Sequence, residues 1–438
     1  MTSAEINWIF VDLNSYFASV EQELQPLLRG RPIVVVPVDA DTTCVIAASY
    51  QAKIYGIKTG TAVHDAKLLC PHLILVEARP RLYVEFHHRL IEAIERCVPV
   101  QQVMSCDEFA CQLMGRERTL LRSIEIAYAI KQEMRKVGLT LRCSIGLAPN
   151  RLLAKIAGEM QKPDGLMVLL RQNLPHSLYS LAVSDIPGIG TRMEERLRTA
   201  GITTMKQLCS LPRDRMSSLW GNVWGERLWH WLRGEDFLEP APKPLQTLSR
   251  QHVLSPTCRT PDRARGVALK LLHSTARKMR RHNLWAGGVF LRVGYFDHPA
   301  FDAVIRIVPC QDTYTLQEHV LQLWQRAPCF VPADIAVGLS HLDTEPAPDL
   351  FAIPEPDARS RVVTALDAMN ARYGLNTVYL GSIHSVRNEA PTRVPFGAPP
   401  PLEEFDDPAD IVRKPPSRYS LTQEQSRRIE ERRRAGKG

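Results

Sequence analysis

The sequence lacks the features that mark membrane, secreted and zinc-binding proteins. No stretch of its 438 residues approaches the ~20 consecutive apolar residues of a membrane-spanning helix. The amino-terminal residues show no basic segment before an apolar run, so we expect no signal peptide. The 10 cysteines form no Cys-x-x-Cys pair, and Cys106 and Cys111 lack further ligands at zinc spacing. We therefore expect a cytoplasmic protein with reduced thiols and no membrane partner.

A strong charge of one sign is missing as well. The 55 Lys and Arg residues against 47 Asp and Glu residues give a formal net charge of +8, which permits a polyanionic partner without requiring one. Hydrophobic residues at 45% and charged residues at 23% exclude global disorder and a fibrous repeat. At ~150 residues per domain, the length predicts about three globular domains.

Two proline-rich breaks divide the chain. Residues 239–244 contain three prolines and no apolar period, which predicts an extended linker over 239–246. Beyond residue 391 the pattern turns irregular and ends in a mixed-charge run, so we expect residues 393–438 to be a disordered tail. Strand and helix patterns mix on both sides of the linker, which predicts an α+β multidomain protein.

Periodicity predicts the individual elements on each side of the linker. Before it we predict strands at 6–11, 33–36 and 141–147, a hairpin over 103–114, and helices at 120–137 and 150–160, the last capped by Asn150. After it we predict helices at 262–282, 316–325 and 358–373, and strands at 289–295, 303–308, 335–339 and 377–383. The second set is typical of a small split βαβ domain.

Three carboxylates fall within or at the ends of apolar segments. Asp12 follows the apolar segment 6–11, and Asp107 and Glu108 lie inside the predicted hairpin. Buried carboxylates are costly unless they are paired or bind a metal, and Mg²⁺ prefers oxygen ligands. Adjacent residues of a strand face opposite sides, so Asp107 and Glu108 share a site only if the chain twists or turns there. On these residues alone, surface carboxylates at strand ends explain the pattern equally well.

Five segments resemble motifs of the Y-family of lesion-bypass DNA polymerases, in that family's order and spacing. They are DLNSYFASVE (12–21), ASYQAKIYG (48–56), SCDE (105–108), NRLLAKIA (150–157) and KPDG (162–165). The resemblance covers about residues 6 to 383 and implies a right-hand polymerase. Its expected parts are a ferredoxin-like palm (1–22 and 79–170), small fingers (23–78), a helical helix-hairpin-helix thumb (171–238) and an α+β little finger (247–392).

The resemblance implies that Asp12, Asp107 and Glu108 are catalytic metal ligands, together with the backbone carbonyl of Leu13. They would hold two Mg²⁺ ions, for which Mn²⁺ can substitute, during template-directed, low-fidelity addition of deoxynucleotides to a primer 3′-end. The implied partners are primer-template DNA and deoxynucleoside triphosphates, in a bacterial, nucleoid-associated setting. A sliding clamp or other repair-polymerase subunits are expected from the family, although no Gln-x-x-Leu-Phe type peptide closes the tail.

The resemblance also implies contacts to nucleotide and DNA. The nucleotide contacts would come from Tyr16, Tyr50, Lys53 and Lys162, with Phe17 as the steric gate that crowds a ribose 2′-hydroxyl. The DNA contacts would come from Gly188 and Gly190, in a segment that resembles the thumb hairpin, and from Ser249, Arg250 and Arg292 of the little finger.

Four positions depart from the family pattern. Asn14, Ala47, Lys53 and Phe109 stand where the family commonly has Asp, Thr, Arg and Ala. These changes alter phosphate contacts and the packing beside the carboxylates, because a lysine is a point charge where arginine is a planar fork. A second hypothesis therefore stays open, namely a catalytically weak or inactive DNA-binding accessory subunit of a mutagenic repair complex. The retained carboxylates favour the enzyme, and a nuclease would explain neither fingers nor thumb.

Overall fold

The computed structural model describes residues 5–41, 43–237, 244–344, 358–394, 397 and 399–405. These residues form two compact units, the first running up to residue 237 and the second beginning at residue 244. Most of the predicted linker and of the predicted tail lies outside the described residues. Within the described ranges, no helix is both long and apolar enough to cross a membrane.

The first unit is built on a mixed sheet with helices on both faces. Its elements up to residue 168 are β1 (Trp8–Leu13), α1 (Tyr16–Leu24), β2 (Ile33–Val36), β3 (Ala47–Ala48), α2 (Tyr50–Lys53), α3 (Val63–Leu69), β4 (Ile74–Glu77), α4 (Pro80–Glu95), β5 (Gln102–Val103), β6 (Glu108–Gln112), α5 (Leu120–Val137), β7 (Cys143–Ala148), α6 (Arg151–Met160) and β8 (Leu166–Val168). The finer boundaries of palm, fingers and thumb stay a prediction.

Strand β1 lies at the centre of the main sheet. The strand order is β5-β6-β1-β7-β8, and β1 is antiparallel to both β6 and β7. Ile9 and Val11 pack with α4 and α5 on one face, while Phe10 packs with α6 on the other. An apolar strand that is covered on both faces leaves its carboxyl end, with Asp12, as the place where polar side chains meet.

A smaller sheet of order β3-β2-β4 follows the first helix in the chain. All of Ile33–Val36 is buried there, as expected for a continuous β-branched run. Residues 170–237 then form short helices: α7 (Thr191–Thr199), α8 (Met205–Cys209), α9 (Arg213–Trp220) and α10 (Val223–Trp231). Their apolar side chains share one core with α6, which ties this helical part to the main sheet.

The second unit is an antiparallel sheet covered by helices on one face. It comprises β9 (Thr247–Val253), α11 (Pro261–Arg281), β10 (Trp285–Tyr295), β11 (Phe301–Cys310), α12 (Thr313–Gln325), β12 (Pro332–Asp343) and α13 (Ala358–Tyr373), with strand order β11-β10-β12-β9. The expected strand at 377–383 is wrong. The fourth strand is β9, and Gly381–Val386 form a 3₁₀ turn instead.

Part of the predicted disordered tail is folded. Leu402–Phe405 form a 3₁₀ turn in which Phe405 is fully buried and Glu404 is nearly so. Glu404 accepts a hydrogen bond from Arg250 at 2.9 Å, which anchors this turn to the second unit. The remaining tail residues, 406–438, lie outside the described residues.

Helix α6 packs very closely on β7, and a glycine makes this possible. A Cβ at Gly146 would lie 1.9 Å from the Ala154 carbonyl oxygen and 2.4 Å from the Gly158 backbone nitrogen. We expect Gly146→Ala to lower the stability of the first unit by about 3 kcal/mol, because the helix would have to move off the sheet. Urea denaturation followed by circular dichroism measures this loss.

Gly158→Ala is the matched control for that experiment, on the opposite side of the same contact. A Cβ at Gly158 would lie 3.6 Å from the nearest atom, which is an ordinary van der Waals distance, and alanine favours the helix. An equal loss in both variants would contradict the close-packing argument.

Candidate active site

The end of β1 brings two of the predicted carboxylates face to face. Asp12 pairs in register with Glu108, the first residue of β6, so both side chains lie on one face of the sheet. Asp107 precedes the strand and belongs to a turn. The alternation of strand side chains therefore does not force Asp107 onto the face opposite to Glu108. Its carbonyl accepts the Leu13 N–H at 2.9 Å, so this turn is tied to the end of β1.

Burial disfavours the charged form of both aspartates. Burial raises the pKa of Asp12, and the neighbouring Lys162 ammonium offsets only part of that effect. Burial also raises the pKa of Asp107, while its hydrogen bond from Ser105 acts in the opposite direction. The Ser105 hydroxyl donates to Asp107 Oδ1 at 2.5 Å. Desolvated carboxylates of this kind gain from any cation that enters the site.

Two lysines form ion pairs with Asp12, Glu108 and Glu159. Lys155, on α6, lies 2.5 Å from Glu108 Oε1, and Lys162 bridges Asp12 at 2.8 Å and Glu159 at 2.7 Å. Burial alone would lower the pKa of Lys162, but the charges of Asp12 and Glu159 outweigh it and raise that pKa. The centre is therefore a mixed-charge cluster rather than an isolated set of acids.

The carboxylate oxygens lie close enough to share a cation. One oxygen each from Asp12, Glu108 and Glu159 falls within 4.8 Å of the others. Carboxylate oxygens are the donors that Mg²⁺ and Mn²⁺ prefer, so these residues fit a divalent metal. Sequence analysis missed Glu159, although its spacing from Lys155 places both on one face of α6.

The departure at Asn14 has a structural explanation. Its side-chain carbonyl accepts the Asp164 N–H at 2.7 Å, and its amide donates to Ser144 Oγ at 3.0 Å. The buried Lys131 also binds Asp164, with its ammonium 2.7 Å from Oδ1. Together these groups fix the loop that carries Lys162, which explains why an amide can serve at this position.

The predicted steric gate is held by a stacked ring. Phe17 stacks on Tyr83 of α4, with ring centroids 4.4 Å apart and an interplanar angle of 18°. The Tyr83 hydroxyl donates to buried Glu21 at 2.7 Å, which fixes the supporting ring. Sequence analysis did not identify Tyr83 because it lies 66 positions away in the chain and meets Phe17 only after folding.

The remaining nucleotide candidates fall into two environments. Tyr50 and Lys53 lie together, with the Lys53 ammonium 4.6 Å from the Tyr50 ring centroid. Burial lowers the pKa of Lys53, and repulsion from Lys162 acts in the same direction. Tyr16 differs from the expectation, because its ring is 3% exposed and its hydroxyl donates to the Tyr83 carbonyl at 2.6 Å. Its side chain therefore serves the core rather than an open pocket.

The two predicted thumb glycines occupy a tight turn before α7. Gly188 has φ +92°, and a Cβ there would lie 2.6 Å from the Trp224 ring. Gly190 precedes the first residue of α7, and a Cβ there would meet nothing within 4 Å. Gly188 is therefore required by the turn itself, whereas Gly190 leaves the free N–H groups at the start of α7 open to a ligand.

The structure corrects the expectation for Arg250. Leu248 packs into the core of the second unit, and alternation along β9 puts Arg250 on that same helix-facing side. The Arg250 guanidinium is already paired with buried Glu404. Arg250 thus holds the folded turn of the tail and is not a free phosphate contact.

Ser249 and Arg292 lie on the open face of the same sheet. Alternation places Ser249 opposite to Arg250, beside the partner residue Gly338. Arg292 is exposed and pairs with Asp302 on the neighbouring strand at 2.9 Å. An exposed pair of this kind contributes little net stability, so Arg292 can exchange partners at small cost.

Comparison with known proteins identifies three consecutive matches to family models. Residues 11–159 match the impB/mucB/samB family, residues 184–236 match the thumb domain of DNA polymerase-iota, and residues 246–350 match the impB/mucB/samB family C-terminal domain. The three matches follow one another along both units.

Curated relatives and solved structures agree with these matches. A DNA polymerase IV of Moorella thermoacetica is 38% identical over 286 residues, which are 64% of this chain and 71% of the relative. A DNA polymerase IV of Bacillus velezensis is 28% identical, covering 87% and 94%. A solved Y-family DNA polymerase chimera, Dbh-Dpo4(243-245)-Dbh, has the same fold with a TM-score of 0.66 at 24% identity, covering 77% and 99%. The chain belongs to the Y-family of lesion-bypass DNA polymerases.

Proposed function

We propose that the acidic centre at the end of β1 carries the two-metal nucleotidyl transfer of a translesion DNA polymerase. The observation that carries this proposal is the pairing of Asp12 with Glu108 in register, with Asp107 in the adjoining turn. The reaction would add deoxynucleotides to a primer 3′-end under the direction of a template strand. Primer extension with Mg²⁺ and all four deoxynucleotides tests it directly.

The metal ligands in this proposal are Asp12, Asp107 and Glu108, with the Leu13 carbonyl as a backbone ligand. Bound Mg²⁺, or Mn²⁺ in its place, would acidify the primer hydroxyl and neutralise the leaving pyrophosphate. The chain's own contribution is to hold the carboxylates at fixed positions, since β-sheet register and the Ser105 hydrogen bond constrain them before any ligand arrives. Glu159 shares an oxygen cluster with Asp12 and Glu108, whereas Asp107, among the described residues, does not belong to that cluster and adjoins it through the turn.

Lys162 is the proposed cation for the triphosphate. In the structure Lys162 bridges Asp12 and Glu159, and a metal bound to Asp12 would compete with Lys162 for that carboxylate. If the Lys162 ammonium leaves Asp12, the backbone of Lys162 stays in place, because Asn14 and Lys131 hold the loop that carries it. Lys53 and Tyr50 would complete the phosphate contacts, with Phe17 excluding the ribose 2′-hydroxyl.

Lys162→Ala tests this role. We expect the KM for deoxynucleotides to rise by about tenfold to 100-fold, because a charge-assisted contact to phosphate contributes roughly 1.5–3 kcal/mol. Steady-state single-nucleotide insertion measures it. Lys136→Ala is the control, since Lys136 belongs to an exposed pair on α5. A KM unchanged in both variants would remove Lys162 from the nucleotide site.

The accessory-subunit hypothesis is not favoured. The curated relatives of this chain include DNA polymerases IV, Asp12 pairs in register with Glu108, and Asp107 directly precedes Glu108. The altered positions Asn14 and Phe109 each have partners in the folded chain, so they do not indicate a decayed site. Duplex binding without any primer extension would revive the accessory role.

Primer-template DNA is the proposed macromolecular substrate. A relative of the same fold was solved as an insertion ternary complex of Dbh DNA polymerase, at 24% identity and a TM-score of 0.53. The proposed contacts here are the start of α7 after Gly190, and Ser249 and Arg292 on the open face of the second unit. A sliding clamp stays a proposal that comes from the family resemblance.

A further inference from the structure

Helix α4 contacts the acidic turn through a buried histidine. His87 is 2% exposed, and its Nδ1 lies 2.7 Å from the Cys106 carbonyl oxygen. Cys106 immediately precedes Asp107, so this hydrogen bond holds the peptide that leads into one proposed metal ligand. Sequence analysis gave no role to His87, whose spacing from Tyr83 places both on one face of α4.

The hydrogen bond fixes the protonation of the ring. A carbonyl oxygen only accepts, so Nδ1 must carry the proton that it donates to Cys106. Burial lowers the pKa of His87 to about 4, and the hydrogen bond to Cys106 offsets only part of that effect. The imidazole is therefore neutral at physiological pH and acts as a fixed donor.

The same ring also supports the residue on the other side of the carboxylates. His87 stacks on Phe109, with centroids 5.2 Å apart and an interplanar angle of 25°. Phe109 is fully buried and immediately follows Glu108. A large ring at this position needs a flat partner, since an unfilled space or a displaced strand would otherwise result.

We propose that His87 is the positioning residue of the segment 106–109, where the turn enters β6: a hydrogen bond holds the start of the segment and ring stacking holds its end. This inference rests on the proposed function, because the segment carries Asp107 and Glu108. It also accounts for the departure at Phe109, whose ring is the second half of the same contact. Placement errors of about 1 Å in catalytic groups cost on the order of 100-fold in rate.

Two substitutions separate the parts of this contact. His87→Asn keeps an N–H near the position of Nδ1 but loses the stacking surface. His87→Phe keeps a ring against Phe109 but loses the donor to Cys106. We expect each to lower kcat for nucleotide insertion by about tenfold to 100-fold, with KM for the deoxynucleotide nearly unchanged, as is typical for residues that orient metal ligands.

Mn²⁺ binding gives a readout that does not depend on activity. Titration of the nucleotide-free protein with Mn²⁺, followed by the electron paramagnetic resonance of the free ion, should show about tenfold weaker binding in His87→Ala. His87→Asn should recover part of that affinity, because the donor to Cys106 is restored. His88→Asn is the matched control, since His88 is the exposed neighbour on the same helix.

The outcomes distinguish this inference from the function on which it rests. If the unchanged chain fails to extend a primer, the proposed function fails, whereas normal extension by Asp107→Asn would remove only Asp107 from the metal ligands. If the chain extends primers but folded His87→Asn and His87→Phe keep wild-type kcat and Mn²⁺ affinity, His87 has no positioning role. Urea denaturation identifies which variants are folded. If His87→Ala or His87→Phe is unfolded, the kcat and Mn²⁺ affinity of His87→Asn decide whether His87 has a positioning role.

Discussion

Replacement of Asp107 by asparagine is expected to reduce primer extension by at least about 1000-fold, because metal ligation supplies several kcal/mol of transition-state stabilisation. The amide nearly matches the carboxylate in shape and can still accept the Ser105 hydroxyl. It lacks the negative charge, so the loss would be electrostatic rather than structural. Single-turnover insertion with saturating DNA and nucleotide measures the rate.

The control for Asp107→Asn is Asp65→Asn, an exposed aspartate in the first turn of α3. We expect the control to retain its activity, and both variants to bind primer-template duplex with wild-type affinity. Duplex binding distinguishes loss of chemistry from loss of substrate. Substantial extension by folded Asp107→Asn would mean that Asp12, Glu108 and Glu159 suffice as ligands, and it would contradict the assignment of Asp107.

Phe17→Ala is expected to lower discrimination against ribonucleotides by about 100-fold, since removing a steric clash of roughly 3 kcal/mol changes a ratio by that factor. The stack on Tyr83 prevents Phe17 from moving aside for a 2′-hydroxyl. Removal of the ring opens that space without touching a metal ligand. The measured quantity is the ratio of kcat/KM for a deoxynucleotide to kcat/KM for the matching ribonucleotide.

Phe296→Ala controls for the loss of an aromatic ring, because Phe296 is an exposed ring in the second unit. Deoxynucleotide insertion by Phe17→Ala should remain within about tenfold of wild type if the ring acts mainly by exclusion. Discrimination that stays at the wild-type ratio in folded Phe17→Ala would assign sugar selection to another residue.

Local sequence signals predicted the elements that have local causes. The helix Leu120–Val137 and the strand Ile33–Val36 match their predicted ranges, since each follows from periodicity or a β-branched run. The helix after Asn150 begins as expected because the Asn150 side chain accepts the Leu153 N–H at 2.9 Å. Such signals are complete within a few residues of sequence.

The strand expected at 377–383 is wrong because a helix residue outside that segment satisfies its backbone. The side chain of Asn370 accepts the Val378 N–H at 3.0 Å and donates to the Val378 carbonyl at 2.8 Å. A side-chain amide thus takes the place of a neighbouring strand and satisfies the backbone there. Residues 377–380 have β-forming side chains, but their partner is a helix residue that no local pattern reveals.

The residues of the candidate site also differ in whether sequence motifs or tertiary contacts reveal them. Motif resemblance predicted Asp12, Asp107 and Glu108, and sheet register explains why Asp12 faces Glu108. It gave no indication of Glu159 or His87, whose importance depends on how α6 and α4 pack against the turn. Residues that support a site are defined by tertiary contacts, so they are harder to predict from a single sequence than the ligands themselves.

The lysines that bridge the acidic centre act as covalently attached counter-ions. Because Lys155 and Lys162 balance part of the charge of Glu108, Asp12 and Glu159, the chain can complete its fold before any divalent ion is bound. Folding and metal loading are then separate events, unlike those of small zinc domains that need metal to fold. In the proposed mechanism, the phosphate of the incoming nucleotide would pair with the lysine, and the magnesium ion it carries would take the place of the lysine on the carboxylates. On this proposal, the substrate itself would complete the charge balance of the active state.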